Sequence, residues 1–181
     1  MVREARLEQT DHGTVPKEDG WFVLNARDAR WWPSEGRGAR SDFEGELEFP
    51  QVGIHLFSLA PGEQMAMYHW EADQEDFLVL DGDAILIVEG EERPLERWDF
   101  VHCPAETSHT IVNAGDKPCL VLAVGARIDS TGPNWGGYPV DETAKRHNAS
   151  VDRETTDPKE AYARFPAREL SAYGRGWLPE P

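Results

Sequence analysis

Cysteine is nearly missing from this chain. Cys103 and Cys119 are the only two in 181 residues. They form neither a Cys-x-x-Cys pair nor a repeated framework, which excludes a structural zinc ribbon. Cys103 follows Val101-His102, and Cys119 opens the apolar run Cys119-Leu120-Val121-Leu122-Ala123-Val124, so both read as buried thiols. Positive charge is also scarce: eighteen basic residues face thirty-four acidic ones, a formal charge of −16. That balance argues against binding nucleic acid or an anionic membrane through bulk electrostatics. Long apolar runs are missing too, since none approaches the roughly 20 residues of a membrane span. The N-terminal stretch Met1-Val2-Arg3-Glu4-Ala5-Arg6-Leu7-Glu8 lacks the apolar core of a secretory signal, which makes the cytoplasm the default location. Three families of catalytic motif are lacking as well: a Gly-x-Ser-x-Gly elbow, a phosphate loop ending in Lys-Ser or Lys-Thr, and a Gly-x-Gly-x-x-Gly turn.

What is present suits one domain with its own core, because 39% of the residues are hydrophobic and a second domain would be cramped. Three parts are distinguishable. Residues 1–48 are polar, punctuated by Gly and Arg, with aromatic islands at Trp21-Phe22-Val23-Leu24 and Trp31-Trp32. Residues 49–126 alternate short apolar runs with turn residues, which predicts strands near 52–59, 64–70, 77–80, 84–89, 92–95, 99–102, 109–112 and 119–125. Turns are expected at Pro61-Gly62, Asp81-Gly82-Asp83, Glu89-Gly90-Glu91 and Ala114-Gly115-Asp116. Many short strands at near-regular spacing indicate an all-β sandwich or jelly roll.

Residues 127–181 are rich in Pro, Gly and charge, and are expected to wrap around the barrel. One helix is predicted there: Asp157 caps it, Pro158 takes the first position, Glu160 stands at capping-box spacing, and Pro166 ends it. Five of the seven Trp (Trp21, Trp31, Trp32, Trp135, Trp177) lie in the flanking parts, where they cover barrel surface or meet a partner subunit. The segment 132–138 reads as a loop at the barrel mouth that helps to close a pocket.

Chemistry concentrates in two stretches. The first runs from Gly62 through six residues to His69-Trp70-Glu71, then Glu75 and Gly82. The second runs from Pro104 to His109 and Asn113. Side chains two apart on a strand share a face, so His69 and Glu71 look the same way. Imidazole with carboxylate suits iron, manganese, nickel or zinc. Singly, each of these residues also fits a plain structural role, and Glu71 and Glu75 lie in an acidic run that reads as a solvated turn.

Together the stretches resemble the two motifs of the cupin family. The resemblance implies a cupin-type jelly-roll barrel, with an irregular N-terminal arm and a C-terminal extension containing a short helix. It further implies a divalent metal held by His69, Glu75 and His109, and a homodimer. Two departures stand out. Glu71 occupies the position of the family's second His, so it is either a fourth ligand, which would favour manganese or iron, or a free general base. Glu106 stands where Gly is usual, and reshapes the turn before His109. His55, Tyr68 and His102 are weaker site candidates. Met65, Met67, Phe77, Ile85 and Ile111 are expected to line an interior suited to a small, partly apolar substrate. The functions that follow are a metal-dependent dioxygenase, a lyase or isomerase in which Glu71 moves the proton, or a non-catalytic ligand-binding barrel.

Overall fold

Turn chemistry and alternation set the strands of the computed structural model, which describes residues 1–129, 132 and 134–180. Four short strands come first: β1 (Leu7–Thr10), β2 (Gly13–Pro16), β3 (Trp31–Pro33) and β4 (Ala39–Asp42). The central part supplies β5 (Val52–Leu59), β6 (Trp70–Glu71), β7 (Glu75–Asp81), β8 (Ala84–Val88), β9 (Glu91–Leu95), β10 (Phe100–Cys103), β11 (His109–Val112) and β12 (Cys119–Ala126). The C-terminal part adds β13 (Gly136–Gly137), α1 (Glu142–Arg146) and α2 (Pro158–Ala161). No helix among the described residues is long and apolar enough to cross a membrane.

In β7 the alternation places Phe77 and Val79 on one face, both essentially inaccessible to solvent. The chain then turns at Gly82, whose φ of +73° belongs to the left-handed region and where a Cβ would meet the Pro118 carbonyl oxygen at 2.6 Å. Between β8 and β9, Glu89 and Gly90 both have positive φ, the requirement of a tight two-residue hairpin turn.

Two antiparallel sheets face each other. The larger has the order β10-β7-β12-β5-β4-β3, and the smaller the order β11-β8-β9. Bridges Gln64↔Val112 and His69↔His109 extend the smaller sheet past β11, and β6 pairs with β13. The segment predicted as a strand over 64–70 touches β11 mainly through these bridges. Between them the Thr110 hydroxyl donates to the Ala66 carbonyl and interrupts the ladder. Leu59, Phe77, Val79, Leu86, Ile111 and Val121 fill the space between the sheets, the jelly-roll arrangement expected.

The flanking parts are more regular than their composition suggested. β4 pairs with β5 and β3 with β4, covering what would be an open sheet edge. The outer face of the large sheet is buried as well: Leu56 and Leu120 pack against Trp31 and Leu178, with Trp177 alongside. That double burial explains the continuous apolar run of β12. Trp31 and Trp177 therefore cover barrel surface, whereas Trp21 is half exposed. In α2 the Asp157 side chain accepts from Lys159 N and Pro158 takes the first turn, as predicted. The Glu160 carboxylate accepts from the Thr155 hydroxyl, and the helix stops at Ala161. α1, capped by Asp141, was not foreseen because five residues carry no readable periodicity.

Candidate metal centre

His69 lies at the end of the irregular segment and is held by reciprocal backbone bonds to His109 at the start of β11. Glu75 opens β7. The three side chains thus come from both sheets, which meet at this end of the barrel. Each imidazole is oriented by a backbone carbonyl: His69 Nδ1 lies 2.8 Å from Met67 O, and His109 Nδ1 lies 2.9 Å from Thr107 O. A carbonyl only accepts, so both Nδ1 atoms donate to the backbone and both Nε2 atoms, the ones that a metal would bind in place of a proton, are turned inward.

The inward atoms converge. Glu75 Oε2 is 3.5 Å from His69 Nε2 and 3.3 Å from His109 Nε2. One ligand atom from each of the three residues lies within 4.8 Å of the others. Ligands about 2.1 Å from a shared ion stand roughly 3 to 3.5 Å apart, so this spacing fits one ion. Glu75 Oε2 and His109 Nε2 are buried without a hydrogen-bond partner in the structure. Buried polar atoms are rarely left so, and a metal would satisfy both.

Electrostatics agree with the geometry. Burial opposes charge on His69, but Glu71 and Glu75 more than offset it and raise its pKa to about 10. Burial likewise opposes charge on His109, and Cys103 and Glu75 lift it to about 9. Although burial works against its ionisation, Glu75 is held far below the usual carboxylate range by the two imidazoles. The site therefore stabilises positive charge at the point of convergence.

Glu71, on β6, stands apart from this set. Its Oε1 lies 3.7 Å from His69 Nε2, it is not among the three residues whose ligand atoms share the 4.8 Å limit, and its side chain keeps 24% of its exposure. It faces a cavity of about 330 Å³ that also contains His69, Glu75, Met65, Phe77 and His55. The remaining sequence candidates lie elsewhere. Tyr68 accepts from Gly90 N and packs beside Ile85 on the outer side of the small sheet. His102 is paired with Asp76 at the surface. Met67 packs under the C-terminal extension, and Ile111 belongs to the core. Cys103 and Cys119 are free, buried thiols.

Much of the cavity lining comes from outside residues 49–126. Tyr138, Tyr162 and Arg168 of the C-terminal extension and Arg37 and Arg40 of the N-terminal part all contribute, together with Arg127. The expected loop at the mouth is partly β13, and Tyr138 places its ring 6.0 Å from that of His69; Pro133 of that loop lies outside the described residues. Sequence reasoning missed these side chains, and only the Gly-Gly run before Tyr138 hinted at a close approach: a Cβ on Gly136 would meet Trp70 O at 2.3 Å.

Two facing antiparallel sheets with a His-His-Glu cluster at one end define a jelly-roll protein with the makings of a metal site. Residues 55–125 match the family model described as "Cupin domain". No curated protein matches the chain. Among solved structures, a sugar phosphate isomerase of the cupin superfamily from Silicibacter pomeroyi is 28% identical with a TM-score of 0.50, over 59% of this chain and 76% of that one. A predicted oxalate decarboxylase from Thermotoga maritima is 19% identical with a TM-score of 0.52, over 59% of this chain and all of that one. An Acidithiobacillus ferrooxidans protein, provisionally named a sugar phosphate isomerase, is 33% identical with a TM-score of 0.42 over 44% of this chain. This chain spans only 52% of that protein's length.

Proposed function

We propose that this protein is a metal-dependent enzyme acting on a small organic substrate, in which His69, Glu75 and His109 hold a divalent ion and Glu71 moves a proton. The observation that carries this reading is the pair of carbonyl-locked imidazoles aimed at the unpartnered Oε2 of Glu75. Iron, manganese, nickel and zinc all accept this donor set. When bound, such an ion would act as a Lewis acid on a substrate oxygen. Glu71 stands beside the cluster, with its carboxylate facing the cavity, where it could accept a proton from a substrate carbon and return it. Met65 and Phe77 give the cavity an apolar side, and Tyr138 narrows its mouth.

Proton-transfer chemistry of the isomerase or lyase kind follows from that arrangement, and the likeness to the Silicibacter pomeroyi isomerase supports it. A dioxygenase is the second reading, favoured by the two-His-one-carboxylate set itself. Plasma mass spectrometry of protein purified without chelator tests the centre. About one ion per chain is expected, falling at least tenfold in His69→Ala and His109→Ala. Glu71→Gln is expected to keep its metal; loss there would make Glu71 a ligand instead. Wild-type protein that holds no metal and refuses added metal would overturn the reading. Oxygen consumption by the metal-loaded protein would favour the dioxygenase.

A further inference from the structure

The cavity that holds the carboxylates also holds guanidinium groups, and they are not all accounted for. Arg127 is: both Nη atoms donate to Glu44, at 2.6 and 3.0 Å. Arg168 is held by carbonyls, its Nη atoms donating to Trp32 O, Gly38 O and Arg37 O. Arg37 and Arg40 differ. Arg37 lies 3.9 Å over the Tyr162 ring, and its buried Nε has no hydrogen-bond partner. Arg40, on β4, likewise has a buried, unpartnered Nε. Among the described residues neither guanidinium has a carboxylate within ion-pair distance. Asp42, two residues from Arg40, is engaged by Arg30 at 3.0 Å, by Trp32 Nε1 at 2.8 Å and by Glu44 N at 3.3 Å. His55 Nδ1, in the same cavity, is buried and unpartnered too.

This is an unusual use of scarce charge. Acidic residues outnumber basic ones thirty-four to eighteen, yet among the described residues these two largely buried arginines pair with none of them, and the acids of the cavity, Glu71 and Glu75, stand beside the imidazoles instead. Burying a charged group without a counter-charge is costly, and the fold retains the arrangement where a ligand supplies that charge. Burial, followed by the like charges of Arg37 and Arg40, pushes the Arg168 pKa down to about 9, a measure of how much positive potential gathers here.

We infer that Arg37 and Arg40, with His55 Nδ1 beside them, bind the anionic group of the substrate, a phosphate or a carboxylate. Arg168 is the positioning residue, tying the turn between β3 and β4 through the Arg37 and Gly38 carbonyls. The guanidinium fork suits both anions, since each offers two acceptor oxygens. The cavity is then polarised: cations at the flanking segments bind the anion, and the acidic cluster at His69, Glu71 and Glu75 faces the reacting part. That the anion belongs to a substrate rests on the proposed enzymatic function; the anion site itself stands on the arginines.

Isothermal titration of chelator-treated protein with inorganic phosphate and with acetate tests the site apart from any metal. Wild-type protein is expected to bind at least one of them, and the preferred probe tells phosphate from carboxylate. Arg40→Gln and Arg37→Gln should each weaken binding tenfold or more, while Arg93→Gln, on exposed β9, should leave it unchanged. Circular dichroism checks folding. Should Arg40→Gln fail to fold, Arg40→Lys keeps the charge without the fork and is read in the same titration beside Arg37→Gln. Wild-type protein that binds neither probe would overturn the inference, as would arginine variants that bind as well as wild type. Metal content is read in parallel. Wild-type protein that holds no metal as purified and refuses added metal, yet binds phosphate or acetate, would sink the metal-centre reading and leave this one standing; a protein that takes up about one metal ion per chain but binds neither probe would do the reverse.

Discussion

At the scale of single residues, backbone conformation and buried titration make the sharpest predictions. Glu106 has a φ of +67°, a conformation that costs a non-glycine residue about 1–2 kcal/mol, and its side chain is exposed. Glu106→Gly removes that strain while adding some entropy to the unfolded chain, so a net gain of roughly 0.5–1 kcal/mol is expected in urea unfolding. A destabilised variant would mean that the Glu106 side chain has a role of its own. His55 makes a prediction about pH. Burial, and then the charge of Arg40, lower its pKa from 6.5 to about 4. Between those values the unfolded chain binds a proton that the folded protein refuses. Stability is therefore intact above pH 6.5 and falls as the pH drops towards 4, by at most about 3 kcal/mol. Carboxylates titrate near the lower end of this window in any variant, so the comparison is with His55→Gln. Wild type should lose more stability than His55→Gln between pH 7.5 and pH 4.5, and equal losses would refute the assignment.

Among the elements, β12 shows how sequence and packing connect. Its inward side chains Cys119, Val121 and Ala123 join the core, while Leu120 packs outward against Trp31. Trp31 is fully buried, its indole donates to Ala26 O, and its ring lies 5.3 Å from that of Trp177. Trp31→Ala would leave a large cavity on the outer face of the sheet. A loss of about 3–5 kcal/mol is expected by denaturant titration. Loss under about 1 kcal/mol would show that the N-terminal strands are attached only loosely. Because β4 also carries Arg40 to the cavity, the same variant tests whether the outer layer supports the site.

For the whole molecule, the matched barrel is not the complete structural unit. Residues 49–126 alone would uncover Leu56, Leu120 and Leu122, open the β5 edge, and remove Tyr138 and Arg168 from the cavity. Expressed alone, that segment should bind a hydrophobic dye and lack the near-ultraviolet dichroism of the full chain. A monodisperse fragment with native-like dichroism would show that the flanks are dispensable for folding.

The sequence by itself determined what rests on local periodicity and spacing. β5 occupies Val52–Leu59 and β11 His109–Val112, as their alternation and turns required, and Asp157 caps α2. The resemblance of the two stretches to cupin motifs also implied that His69, Glu75 and His109 converge, and their ligand atoms do lie within 4.8 Å of one another. Tertiary structure decided the rest. Whether Glu71 joins the cluster depends on how β6 turns against β13, which no pattern encodes. That Arg37, Arg40 and Arg168 reach the same cavity depends on strand pairing across the β5 edge and on a C-terminal segment folding back over more than a hundred residues. Such contacts leave no periodic trace in the chain, because the residues that meet are set by the closure of the fold and not by their neighbours in sequence.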